Sequence, residues 1–169
     1  FQGMPDPATL LTRLDVKVQL LLGQLSGSAH ALRDGMDIAV CMINRQTLDL
    51  HYASAFRPIC LIRNGELMKL DADRTAVGYK SFPHHGFTLR HQKLQPDDGL
   101  YLFTDGVTDQ FGGPKGRKFQ PRRYYEALAK ACDKPMAEQK IALEDEIEAW
   151  QQHLEQTDDI LVMGVRIPT

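Results

Sequence analysis

Residues 100–109 read Leu-Tyr-Leu-Phe-Thr-Asp-Gly-Val-Thr-Asp. Leu100 to Thr104 is an apolar run of strand length, which suits a buried strand. Pro96-Asp97-Asp98-Gly99 before it is turn chemistry, and Gly106 lets the chain turn sharply after it. Asp105 therefore stands at a strand end. A second site of the same kind lies far along the chain, where Asp158-Asp159 precede the apolar run Ile160 to Val165. Both runs are expected to be central strands. If they are antiparallel neighbours, their carboxylates meet at one sheet edge. Hard cations such as Mg²⁺ and Mn²⁺ take oxygen ligands of this kind. Two such ions can activate a bridging water and neutralise charge on a phosphoryl group. The same residues also suit a plain turn and a strand cap, and spacing alone leaves both readings open.

Working outward, Asp6 and Pro7 read as the N-cap and first residue of a helix. Leu10, Leu11, Leu14, Val18, Leu21, Leu22 and Leu25 give that helix one broad apolar face, and Ser26-Gly27-Ser28 ends it. Strands are expected over 37–43, 48–53, 57–63, 66–70 and 87–94, with Asn64-Gly65 as a two-residue hairpin turn. In the second of these, Leu48, Leu50 and Tyr52 alternate onto one side. Helices are expected over 121–132 and 136–153, before a closing strand over 160–167. One helix, about six strands, two helices and a last strand suggest an α+β domain with a mainly antiparallel sheet.

Composition bounds the function classes. The chain has 169 residues, 43% hydrophobic and 25% charged, enough for a sizeable core. A net charge of −2 gives no pull toward nucleic acid or an anionic membrane, and no apolar run is long enough to span a bilayer. Cys41, Cys60 and Cys132 are odd in number and lack C-x-x-C spacing, which argues against a disulfide framework or structural zinc. A cytoplasmic setting is expected. Phe1-Gln2-Gly3 reads as a tag-removal remnant and is left out of the fold argument.

Four segments together resemble the SpoIIE-like phosphatases of the PPM superfamily of metal-dependent serine/threonine protein phosphatases. Asp34-Gly35-Met36-Asp37-Ile38-Ala39 is similar to the family's DGM-x-h-A strand, and Tyr52 to Pro58 to its Y-A-x-A-x-x-P segment. Leu100 to Asp109 resembles its L-h-L-Y-T-D-G-V-T-D motif, and Gln156 to Ile160 its closing x-x-D-D-h segment. The run Gln110 to Phe119 is close to a subgroup attached to bacterial signalling proteins. The resemblance implies a partial α-β-β-α sandwich of mainly antiparallel sheets. It makes Asp105 and Asp158 catalytic metal ligands and adds Gly106 and Asp159 to the metal-binding set; Asp159 stands where other members carry a neighbouring Asn, so it either supports a ligand or structure, or takes the inward place of Asp158. Mn²⁺ or Mg²⁺ is the implied cofactor. Asp109, one helical turn past Asp105, would orient a metal-bound water, or else is a cap or a solvated charge.

The implied reaction is hydrolysis of phosphoserine or phosphothreonine on a small regulatory protein, such as an anti-sigma-factor antagonist in bacterial partner switching. The departures bear on this directly. The family's first metal Asp lies in a G-D-V-S-G-H-G-like segment ahead of the first helix, and no such segment is present. Residues 4–169 are therefore expected to be the C-terminal part of the domain, lacking its N-terminal strands, with activity lost or impaired. The open edges suggest a homodimer formed by strand exchange. The other reading is a non-catalytic protein-binding module with an incomplete metal site.

Weaker candidates remain. Arg57 could meet a substrate phosphate or be structural, and Lys115 and Arg117, with Lys118, form a basic loop that suits a phosphorylated partner or plain solvation. The loop is no Walker motif, since the spacing and the following Ser/Thr are missing. The Tyr52–Pro58 stretch offers only Ser54 and Arg57, so no third-metal ligand is expected there. His84, His85 and His91 lack ligand spacing and read as exposed histidines. Trp150 reads as a core anchor.

Overall fold

The computed structural model describes residues 3–22, 35–79 and 86–168. In chain order the elements are α1 (Pro7–Leu21), β1 (Ile38–Ile43), β2 (Asp49–Ala55), β3 (Ile59–Arg63), β4 (Glu66–Leu70), β5 (Arg90–Lys93), β6 (Gly99–Phe103), α2 (Asp105–Asp109), β7 (Phe111–Gly112), β8 (Arg117–Lys118), α3 (Gln120–Ala131), α4 (Met136–Gln151) and β9 (Val162–Arg166). The expected order holds, with α2 and the β7–β8 hairpin added. The class is α+β, and the pairings β1–β2, β2–β5, β3–β6, β6–β9 and β7–β8 are antiparallel. No helix among the described residues is long and apolar enough to cross a membrane.

The chain divides into two compact units. The first comprises residues 1–59 and 71–94 and holds the sheet β1-β2-β5. Asp6 caps α1 by accepting from the Thr9 amide at 2.9 Å, and Pro7 follows as expected. The apolar face of α1 is narrower than its leucine pattern suggests. Leu10 and Leu21 are exposed, while the buried positions are Pro7, Ala8, Leu11, Asp15 and Gln19. Asp15 accepts from the Gly78 amide at 2.7 Å and from Gln19 Nε2 at 2.8 Å, so a buried charge is satisfied within the unit. Leu25 and Ser26-Gly27-Ser28 lie outside the described residues. On β2, Leu50 and Tyr52 point inward, whereas Leu48 sits outside the strand at φ 55°.

The second unit comprises residues 60–70 and 95–169 and holds the sheet β4-β3-β6-β9. Asn64 and Gly65 both take positive φ, 51° and 77°, as the hairpin between β3 and β4 demands. α3 and α4 cover one sheet face, where Ile62, Tyr101, Phe103, Phe119, Tyr124, Leu128, Leu143 and Ile147 form one core. The turn at Pro96–Gly99 is more than a turn: Asp98 is 1% exposed and takes a two-pronged contact from Arg63, at 2.9 and 2.7 Å.

Two expectations need correcting. β6 is interior, as expected, but β9 lies at the sheet's edge. Leu161, Met163 and Val165, which alternate onto one face of that segment, are exposed. The basic loop is folded back as the β7–β8 hairpin, because Gly113 and Gly116 adopt positive φ and let the chain reverse.

Candidate acidic site

β6 and β9 are antiparallel neighbours, with Phe103 opposite Val162. The end of β6 therefore meets the start of β9, and Asp105 and Asp158-Asp159 leave the sheet at the same edge. Thr104 stitches the two ends. Its amide donates to the Leu161 carbonyl at 3.0 Å. Its hydroxyl donates to the Asp159 carbonyl at 2.7 Å and accepts from the Leu161 amide at 2.9 Å.

Gly106 has a reason to be glycine that a turn does not supply. A Cβ there would lie 2.3 Å from the Asp159 carbonyl oxygen and 3.2 Å from that of Asp158. Its φ is not in the left-handed range, so close backbone approach is what excludes a side chain. Asp105 begins α2, and the Thr108 hydroxyl donates to its carbonyl at 3.1 Å. Asp158 and Asp159 are exposed. The Asp158 carboxylate accepts from the Asp159 amide at 2.7 Å, and its carbonyl accepts from Gln156 Nε2 at 2.7 Å.

Gln110 is a supporting residue that sequence reasoning passed over. It is fully buried, and its Nε2 donates to the Glu155 carbonyl at 3.0 Å. That bond ties the end of α2 to the segment leading into Asp158. Its own carbonyl accepts from Trp150 Nε1 at 3.2 Å and from the Phe119 amide at 2.8 Å. Trp150 thus anchors its helix by a hydrogen bond as well as by its edge-to-face contact with Phe119. Nothing in the local sequence marks a buried glutamine of this kind.

The other candidates fall elsewhere. Asp109 is bound by Lys118 Nζ at 2.7 Å, both side chains being about half exposed. Lys115 and Arg117 are exposed on the β7–β8 hairpin. Arg57 belongs to the first unit, where its Nη2 lies 3.2 Å from Asp37. Burial pushes the thiols of Cys41 and Cys60 up to about 12; Cys60 is a small core residue, whereas Cys41 is half-buried. His84 and His85 lie outside the described residues. Among the described residues, no three His, Cys, Asp or Glu side chains gather around one point.

The family profile described as Stage II sporulation protein E (SpoIIE) matches residues 2–168. The chain belongs to the SpoIIE family. This SpoIIE-family chain is similar in structure to the SiaA-PP2C domain of Pseudomonas aeruginosa, with a TM-score of 0.84 and 28% identity over 98% of its length. It spans 62% of the length of that domain. It is also similar to the phosphatase domain of the cell fate determinant SpoIIE from Bacillus subtilis, with a TM-score of 0.59 and 16% identity, over 100% of this chain and 77% of that one. A third likeness is to the catalytic domain of the serine/threonine protein phosphatase PstP in complex with two manganese ions, with a TM-score of 0.65 and 15% identity, over 100% and 74% of the two chains. At these last two identities the likeness shows the fold alone, a partial PPM-type sandwich. None of the curated proteins matches the chain in sequence.

Proposed function

We propose that residues 4–169 form the C-terminal part of a metal-dependent phosphatase domain that removes phosphate from serine or threonine on a small regulatory protein of the anti-sigma-factor-antagonist type. The observation that carries this reading is the meeting of Thr104-Asp105-Gly106 with Asp158-Asp159 at one end of β6 and β9. The SpoIIE family and the manganese-bound PstP relative point the same way.

The donor set fits a hard divalent cation in kind, being carboxylate and carbonyl oxygen, but it is short in number. Asp105 and Asp158 would hold Mn²⁺ or Mg²⁺, with Asp159 and the Gly106 backbone beside them. Bound there, such an ion supplies an activated water and offsets phosphoryl charge. The chain's own part is positional. Thr104 and Gln110 tie down the backbone of both acidic segments, and the Asp158 carboxylate would have to leave the Asp159 amide to take up an ion. Asp109, paired with Lys118, would orient water only after that ion pair opens. Exposed pairs of this kind contribute little, about 0–1 kcal/mol, so opening is cheap. Lys115 and Arg117 offer exposed charge for a phosphorylated partner, while Arg57, in the first unit, would meet phosphate only in exchange for its contact with Asp37.

The test is Mn²⁺-dependent release of phosphate from a phosphoserine protein, using a longer chain that supplies the G-D-V-S-G-H-G-like segment. Asp105→Asn and Asp158→Asn are each expected to lower turnover by a factor of about 10³ or more while circular dichroism stays unchanged. Wild-type turnover in both folded variants would sink the assignment of Asp105 and Asp158, and no turnover in the longer wild-type chain would favour a non-catalytic docking module.

A further inference from the structure

A second cluster of metal-binding chemistry lies in the first unit. His51 on β2 and His91 on β5 stand directly opposite each other in the sheet register. Their ring centroids are 5.3 Å apart. The two residues are far apart in sequence, so no local spacing announces the pair.

The separation suits a shared ion. A zinc-type metal–nitrogen bond is about 2.0–2.1 Å, which puts the ion about 3.2 Å from each imidazole centroid. Two rings at a tetrahedral angle then have centroids about 5.2 Å apart. The surroundings add a second, independent argument. His91 Nε2 lies 3.1 Å from Asp49 Oδ1. A carboxylate on one ring nitrogen keeps the proton there and leaves the lone pair on Nδ1. Ligating histidines are commonly oriented by this arrangement. Met42 on β1 is the register partner of His51 on its other side and adds a soft thioether neighbour.

We propose that His51 and His91 form a two-histidine site for a borderline transition ion of the Cu²⁺, Ni²⁺ or Zn²⁺ class, with Asp49 as the residue that positions His91. The remaining coordination positions belong to solvent, since no third His, Cys, Asp or Glu joins them among the described residues. Lys93 Nζ sits 3.1 Å from the same Asp49 oxygen, and its charge keeps the affinity modest. Imidazole donors favour borderline ions, whereas the oxygen donors at Asp105 and Asp158 favour hard ones. The inference is independent of the phosphatase reading.

Titration of the tag-free 169-residue chain with CuCl₂ and with ZnCl₂, by calorimetry, tests it. One ion per chain is expected, Cu²⁺ tighter than Zn²⁺, with an electron paramagnetic resonance spectrum showing nitrogen ligation. His91→Gln, at a half-exposed position that folding tolerates, and His51→Ala should each weaken binding at least about tenfold, and Asp49→Asn by about tenfold. A His84→Ala/His85→Ala double variant should bind as the wild type does. Unchanged binding in His91→Gln, or loss of binding in the His84/His85 double variant, overturns the site.

Discussion

Helix α1 of the first unit and helix α3 of the second are docked by different physics. The inward positions of α1 include Ala8 and Leu11 but also Asp15 and Gln19, whose hydrogen bonds reach Gly78 and each other. The inward positions of α3 are Tyr124, Ala127, Leu128 and Ala131, the first three within one aromatic-rich core. Polar docking is directional: it fixes α1 in one register and fails outright when a partner is removed. Apolar docking scales with area and fails in proportion to the volume lost. The acidic site stands on the apolar unit, whose buried polar side chains serve to pin loops. Gln110 holds the segment before Asp158, and Asp98 holds Gln95 and Arg63.

The largest expected effect comes from the apolar side. Leu128 is fully buried, and Leu128→Ala should cost about 3 kcal/mol of unfolding free energy, as large-to-small core changes do. Urea unfolding followed by fluorescence of Trp150, the chain's single tryptophan and a residue of the second unit, reads it directly. A loss under about 1 kcal/mol would mean the α3 core closes over the gap, and the contrast with α1 would fail.

A smaller but sharper loss is expected on the polar side. Asp15→Ala strips an acceptor from the Gly78 amide and from Gln19, leaving buried donors unsatisfied at a cost of about 2 kcal/mol. Asp15→Asn keeps one acceptor oxygen and should lose less. Far-UV circular dichroism against urea measures both. If Asp15→Asn costs as much as Asp15→Ala, the oxygen at that position is not what docks α1.

The two helices also mark how far the sequence could be read. Element order, the Asn64-Gly65 hairpin and the α1 cap were legible because each depends on residues close in sequence. The adjacency of β6 and β9 was legible only as a condition, since pairing partners are a property of the whole sheet. The edge position of β9 was not, because Ile160 to Val165 is as apolar as a buried strand and periodicity cannot count neighbours. The α1 leucines misled for a related reason: a leucine pattern predicts a face, but Asp15 and Gln19 occupy part of it once Gly78 supplies a donor from across the fold. Gly106 was visible as a glycine, yet its cause, the Asp159 carbonyl 2.3 Å from where a Cβ would stand, needed the second segment in place. The pairing of His51 with His91 was hidden in the same way.

The smallest effect separates hydroxyls inside the apolar unit. Among the described residues, the Tyr124 hydroxyl is buried with no hydrogen-bond partner, and burial drives its phenol well above the usual tyrosine range. Its ring packs against Phe103 at 4.4 Å between centroids. The Tyr101 hydroxyl, by contrast, donates to Gln139 Oε1 at 2.7 Å. Tyr124→Phe keeps the ring contacts and removes only a desolvated polar group, so stability should hold or rise by up to about 1 kcal/mol. Tyr101→Phe breaks a made bond and leaves Gln139 short of a donor, so it should lose about 1 kcal/mol. Thermal melts of the two variants side by side decide the matter. Opposite signs would mean that α3 is held by area alone at Tyr124. A loss in Tyr124→Phe equal to that in Tyr101→Phe would mean that this helix, too, is docked by a polar contact, and the difference between the two units would shrink to one of degree.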